Sequence, residues 1–496
     1  GDERGGSQEE PAPLIYLSPQ DHLIRISMAL RGLRPSAQEL AAVADDPEAL
    51  PDIIDGYMQG TEFGAVVRDL HNDGLLSRVD YFIPPAGFLP TGNLASTDVY
   101  ELNRSIMDAP LRLAEYIVTD DRPYTELVTA DYQVADPTVA AVWGLDYEGG
   151  GSWAITSQQD ERGNAGILTD SWVFTRHDST PANANRGRAN ALTRALLCED
   201  FLDRPADIET TVDLSDPQAV QDAVMTDPTC VSCHQSLDPL ASFFSGYITQ
   251  IAPFNVTYPV DIYSENFFTL LYGVELRDPA YFGIAGDSLQ DLGSSIANDP
   301  RFSLCTAKRF YAYFNQVELH EVPLNRAQKY QKVLVDSDYS AKTLIRELML
   351  SDDFRASHID PEAELAEEDG SWDHVGVKKT RPTQLGIFIE SMTGLHWTAD
   401  LTEFGLGQVD LMEDTFIGFQ MLGGGIDGYY VTRPTDTYNA TSSLLLRTLA
   451  REGAGLVVAS DFTKPKDERR LLKVADESTS DEATIRAQLV ELCRII

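Results

Sequence analysis

One run limits the fold more than any other: Cys230-Val-Ser-Cys233-His234, set within Asp227-Pro-Thr-Cys-Val-Ser-Cys-His-Gln-Ser-Leu-Asp-Pro239. This is the spacing at which two thiols add to the vinyl groups of a porphyrin while the adjacent imidazole reaches the iron. A chain that carries it must leave room for a haem beside that segment. The competing readings are a redox Cys-x-x-Cys pair, half of a zinc site, or chance. Zinc asks for a second pair of ligands at close spacing, whereas Cys198, His177 and Cys305 are scattered singly. The expectation is therefore one covalent haem c, attached through Cys230 and Cys233, with His234 as the proximal iron ligand.

With 496 residues, 43% of them hydrophobic, the chain can fill the cores of several domains. Its formal net charge of −40 argues against a nucleic-acid backbone as partner, since that needs clustered Lys and Arg. Such a surface suits a cationic partner, divalent ions or a salty medium, and a simply solvated acidic surface is the leading expectation. Five cysteines are few for a disulfide scaffold, and the motif claims two, leaving Cys198, Cys305 and Cys493. Cys198 and Cys305 sit at helix-like positions flanking the motif. A disulfide between them is expected, with a pair of buried free thiols as the alternative. Covalent haem attachment takes place outside the cytoplasm, where a disulfide also persists. A periplasmic, extracellular or cell-surface protein is expected. No apolar run approaches the length of a membrane-spanning helix, and Gly1 opens no signal peptide, so a processed chain is expected. Residues 1–13 read as a flexible acidic tether, and a lipidated cysteine before Gly1 is one way in which it would hold the protein to a membrane.

The periodicity predicts a mainly α, multidomain protein with the haem region in the middle. Residues 14–147 form an N-terminal helical domain. Ser18 caps a helix carrying Leu23, Ile24, Ile26 and Leu30 as far as Gly32, Ser36 caps a second, and others cover Leu50 to Met58 and Glu62 to Leu76. His22 and His71 read as surface or packing residues. Tyr81 to Gly92 is a loop, and Ser96 or Thr97 caps the next helix through Leu111, Leu113 and Ile117. The glycine run at Gly149-Gly150-Gly151 marks a boundary and lacks the signature of a nucleotide loop. Residues 148–320 form the haem domain, in which Asp299-Pro300 separates two late helices and Cys305 lies in the second. Residues 321–496 form a C-terminal helical region with an acidic linker over 361–373. Within it an amphipathic helix follows Val322, Ser340 caps another, and Thr383 to Thr393 is helical. Asp427, after Gly423-Gly424-Gly425, holds either a backbone turn or a cation such as Ca2+. A last helix opened by Asp481 is still running at Cys493 to Ile496, and the natural protein or a partner is expected to continue it.

Several of these features together resemble the large secreted cytochrome-c-like proteins typified by Planctomycetes and myxobacteria, whose domains are mostly without assigned function. The similar features are Gly166-Ile-Leu-Thr169, His177 before Thr180-Pro181, Arg186-Gly187, Leu197-Cys198, the motif run ending Leu237-Asp238-Pro239, and Cys305 in a late helix. Asp121 to Asp131 upstream, and Gly424-Gly425-Ile426-Asp427 with Arg433 downstream, are similar too. The resemblance covers most of the chain, with weak matches at the N-terminus. It implies a secreted, mostly helical haem protein and little about its reaction. One departure stands out: comparable proteins often carry a His shortly before the motif, where this chain has Val224 and Met225.

The occupant of the second axial position decides what the iron does. Between His234 and His320 there is neither Met nor His, which removes the small-cytochrome arrangement of a downstream Met. Met225 lies on the chain entering the proximal side, and His320, beside Glu321, reads as an exposed loop residue. His177, in a turn-forming run near Trp172 and Phe174, is the expected distal ligand, an open or water-filled site being the alternative. Arg186 and Arg188 are candidates to pair with haem propionates or, as plainly, with surface carboxylates. Three function classes follow. A haem with two protein ligands transfers electrons to a redox partner, cationic or another cytochrome. An open distal site would make a peroxidase- or oxidase-type enzyme. In the third class the protein is a surface binding or scaffold protein, and the haem is accessory. Electron transfer is the leading expectation.

Overall fold

The computed structural model describes residues 14–79, 92–204, 212–213, 215–249, 258–265, 267–273, 276–360, 375–404, 407–415 and 418–495. The expected tether (1–13), the acidic linker (361–373) and nearly all of the loop from Tyr81 to Gly92 lie outside these residues. Among the described residues the chain is mainly α, and its strands pair only two at a time.

Local signals set many of the helix ends. Ser18 accepts the Asp21 N–H at the start of the helix Pro19–Arg31, and Gly32, at φ 65°, ends it in the left-handed conformation. Leu23, Ile26 and Leu30 are its buried face. A capping box joins Ser36 and Glu39 ahead of Ala37–Asp45, and Ser340 caps Ala341–Met349. The helix Val99–Thr119 is capped by Asp98, not by Ser96 or Thr97. The Asp98 carboxylate accepts the N–H groups of Tyr100 and Glu101, a stronger cap than a neighbouring hydroxyl because it also opposes the positive end of the helix.

Both expected surface-or-packing histidines pack inside. His22 Nε2 lies 2.8 Å from the Met349 carbonyl, and His71 bridges the Val67 carbonyl (2.7 Å) and the Tyr124 hydroxyl (3.0 Å).

One apolar core runs without a break from Leu23 to Phe354, across the boundaries expected at 147/148 and 320/321. The helix Pro300–Asn315 lies at its centre, touching the helices Thr61–Leu75, Arg186–Leu197, Leu324–Asp336 and Ala341–Met349. Its Phe302 and Phe310 are buried, and Phe310 meets both His71 and Tyr124 edge-on. The antiparallel ladder of Leu14–Tyr16 with Ala356–Ile359 clasps the start of the core to its end. Two small apolar clusters lie apart from it: Val409 and Leu411 with Tyr100 of the helix Val99–Thr119, and Leu449 with Leu385, Met412 and Leu445.

Candidate functional site

The motif lies on the helix Pro228–Ser242, capped by Asp227, whose carboxylate accepts the Thr229 and Cys230 N–H groups. On a helix, positions i, i+3 and i+4 share one face, so Cys230, Cys233 and His234 project together. Both thiols are free and partly exposed, Cys233 resting against the main core. Some burial and the Asp227 charge raise the Cys230 thiol above its usual range. A redox pair of the Cys-x-x-Cys kind needs the opposite, a thiol pulled down to thiolate.

His234 donates its Nδ1–H to Asp238 Oδ1 at 2.8 Å, the carboxylate fixing that tautomer and leaving Nε2 for a ligand. Asp238 is one helical turn further on and only 11% exposed. Its other contacts come from outside the helix: Arg186 grips it with Nε at 2.7 Å and Nη2 at 3.0 Å, and Arg277 Nε stands 3.8 Å away. Burial pushes this carboxyl up, but the hydrogen bonds from His234 and Arg186 outweigh it and hold it at about 2. Arg186, a candidate for a haem propionate or a surface carboxylate, is engaged here with the mostly buried Asp238. Arg188 is fully buried, donating to the carbonyls of His177, Ile248 and Thr249 and to Asn185 Oδ1, with its guanidinium beside Phe174 and Tyr247.

The helix Arg186–Leu197 thus joins the motif to the centre of the core. Its first turn holds Asp238, and Asn185 before it donates to the Phe244 carbonyl at 3.0 Å. At its other end, Arg309 of the central helix donates to the carbonyls of Arg194 and Ala195, and Cys198 is disulfide-bonded to Cys305. The expected bridge is therefore present, and the free-thiol alternative is not.

His177 follows the short helix Trp172–Arg176 and meets the Trp172 ring edge-on, with centroids 5.6 Å apart. Its carbonyl accepts Arg188 Nε, which ties this turn to the same helix that holds Asp238. Burial, then the positive charges of Arg176, Arg194 and Arg188, keep the imidazole well below its usual range and so neutral. Among the described residues its ring makes no hydrogen bond or ring contact to the motif helix. Met225 is exposed, with its sulfur 2.9 Å from Arg277 Nη2. His320 is exposed on the wall of a cavity of 740 Å3, away from the motif residues.

Among the described residues no group of three or more His, Cys, Asp and Glu side chains is gathered to hold a metal ion. A haem asks for less, because the porphyrin supplies four nitrogens and the protein only the axial ligands and the two thiols. The donor set here fits that demand: two free thiols, one imidazole with Nε2 available, and a carboxylate behind it. Asp427, the residue proposed for a turn or a cation, accepts the N–H groups of Tyr429, Tyr430 and Val431 through Oδ1 at 2.7–2.8 Å, which is a turn. Asp238 is the functional candidate that sequence reasoning passed over. Its spacing of four residues from His234 on a helix was the signal that could have found it.

Residues 164–249 match the family model described as PSCyt3, a protein of unknown function (DUF1588), a domain family known in planctomycete cytochrome-like proteins. The matched stretch contains His177, Arg186 and the whole motif run. No curated protein and no solved structure matches the chain.

Proposed function

We propose that this is an extracytoplasmic c-type haem protein that carries electrons to or from a partner through one covalently bound haem. The observation that carries the reading is the motif face itself. Cys230 and Cys233 are free on one side of a helix, and His234 beside them is held by Asp238 with Nε2 left over. When bound there, haem supplies reversible one-electron exchange at iron. Cys230 and Cys233 hold it, His234 binds the iron from one side, and His177, a neutral imidazole on a turn fixed by Arg188, is the candidate for the other.

The location draws support from the Cys198–Cys305 disulfide, which belongs to an oxidising compartment. No helix among the described residues is long and apolar enough to cross a membrane. The match over 164–249 adds support, since its family occurs in cytochrome-like proteins. With a net charge of −40, the surface favours a cationic redox partner by electrostatic steering.

The test is the mass of the denatured protein after expression in cells competent for cytochrome c maturation. One added haem is expected, and its loss in a Cys230→Ala, Cys233→Ala variant. An unmodified mass from such cells overturns the proposal.

A further inference from the structure

We infer that Asp238 is a positioning residue that sets the reduction potential of the haem through His234, and that Arg186 limits how far it does so. The inference rests on the haem reading above and goes beyond it.

Three features carry it. The His234 Nδ1–H points at Asp238 Oδ1 from 2.8 Å, so the ring is not free to turn about its axis, and the carboxylate acts on the proximal face through one hydrogen bond. Asp238 is mostly buried, so water does little to screen that charge. The carboxylate is also held from outside its own helix. The fork of Arg186 closes on both its oxygens, and Arg277 approaches Oδ2 to 3.8 Å.

The physical consequence has a sign. A carboxylate accepting the distal N–H of a metal-bound imidazole makes that ring more basic and a stronger donor to the metal. A stronger donor stabilises ferric over ferrous iron, which lowers the potential. The two arginines withdraw part of the carboxylate's charge and so raise the potential back. Arg186 and Asp238 should therefore act in opposite directions; bare charges near the iron would do the same, so the strength of the iron–histidine bond is the readout that marks action through His234.

Asp238→Asn keeps an acceptor for His234 and removes the charge. The ferrous-to-ferric ratio at a fixed electrode potential should rise roughly tenfold, an upward shift of about 59 mV for a one-electron couple. Arg186→Gln should move it the other way. Redox titration followed at the Soret band reads both, and resonance Raman of the iron–histidine stretch, taken in a ferrous His177→Ala background where the iron keeps only His234, should show a lower frequency when Asp238→Asn is added. Denaturing mass is measured on each variant first. No haem in the parent protein overturns the haem reading itself. Haem present in all three, with potentials unchanged or shifted in the same direction, overturns only the role of Asp238. Asp238→Glu, which restores the charge, should return the potential toward that of the parent, and no return would also count against it.

Discussion

A histidine binds iron through a deprotonated ring nitrogen, and His177 has one to offer. Packing and three nearby arginines keep the ring neutral, and buried Arg188 clamps the carbonyl of the same residue. Its rivals are exposed. Met225 sits exposed against Arg277, and His320 is exposed in a turn. Replacing His177 with Ala should convert a low-spin ferric spectrum into a high-spin one while the haem stays attached through Cys230 and Cys233. A parent protein already high-spin, or a variant with an unchanged spectrum, would make His177 a loop residue and put the enzyme reading ahead. At this scale the sequence disclosed what spacing can disclose. Cys230, Cys233 and His234 are neighbours along the chain, so their shared chemistry needs no fold. The hold of Arg186 on Asp238 spans 52 residues and depends on two helices meeting, so no local pattern announces it.

At the scale of the element, many helix ends were legible because capping is a matter of a few adjacent residues. Ser18, Ser36 and Ser340 all cap where their side chains suggest. Asp98 was missed because Ser96, Thr97 and Asp98 all qualify by type, and only the path of the chain decides among them. The Cys198–Cys305 bridge works at this level as well. Cys198 ends the helix Arg186–Leu197 in the left-handed conformation, φ 54°, which costs an ordinary side chain about 1–2 kcal/mol and so needs holding in place. The disulfide and the Arg309 hydrogen bonds to the Arg194 and Ala195 carbonyls provide that hold. The bridge closes a separation of 107 residues that includes the whole motif, and on the chain-entropy model such a closure stabilises the folded state by roughly 5 kcal/mol. A Cys198→Ala, Cys305→Ala variant should therefore unfold at clearly lower urea concentration, with a steeper slope because its unfolded chain is less compact. An unchanged midpoint would mean that packing alone holds the two helices together.

The whole molecule is where sequence reasoning had least to work with. The glycine run at 149–151 and the change of pattern near 320 suggest boundaries, but composition records turns and not which faces meet across them. Contacts made by the helix Pro300–Asn315 cross both positions. Phe310 stacks edge-on against His71 and Tyr124 from the N-terminal part, while Cys305 and Arg309 two turns or less away hold the helix that leads to the motif. Tyr313 adds a hydrogen bond to Asp69 at 2.7 Å. A cavity opened at Phe310 should for that reason be felt on both sides of residue 148. Phe310→Ala is expected to cost about 3–5 kcal/mol, the range for emptying a buried aromatic site. Its unfolding should remain one transition, with the helical signal, the fluorescence of buried Trp143 and Trp172, and the Soret band of the matured protein all moving together. If the Soret transition stayed where the parent has it while the helical signal of the N-terminal part fell away earlier, the haem region would be folding on its own, and the continuity of the core from Leu23 to Phe354 would be contact without cooperativity.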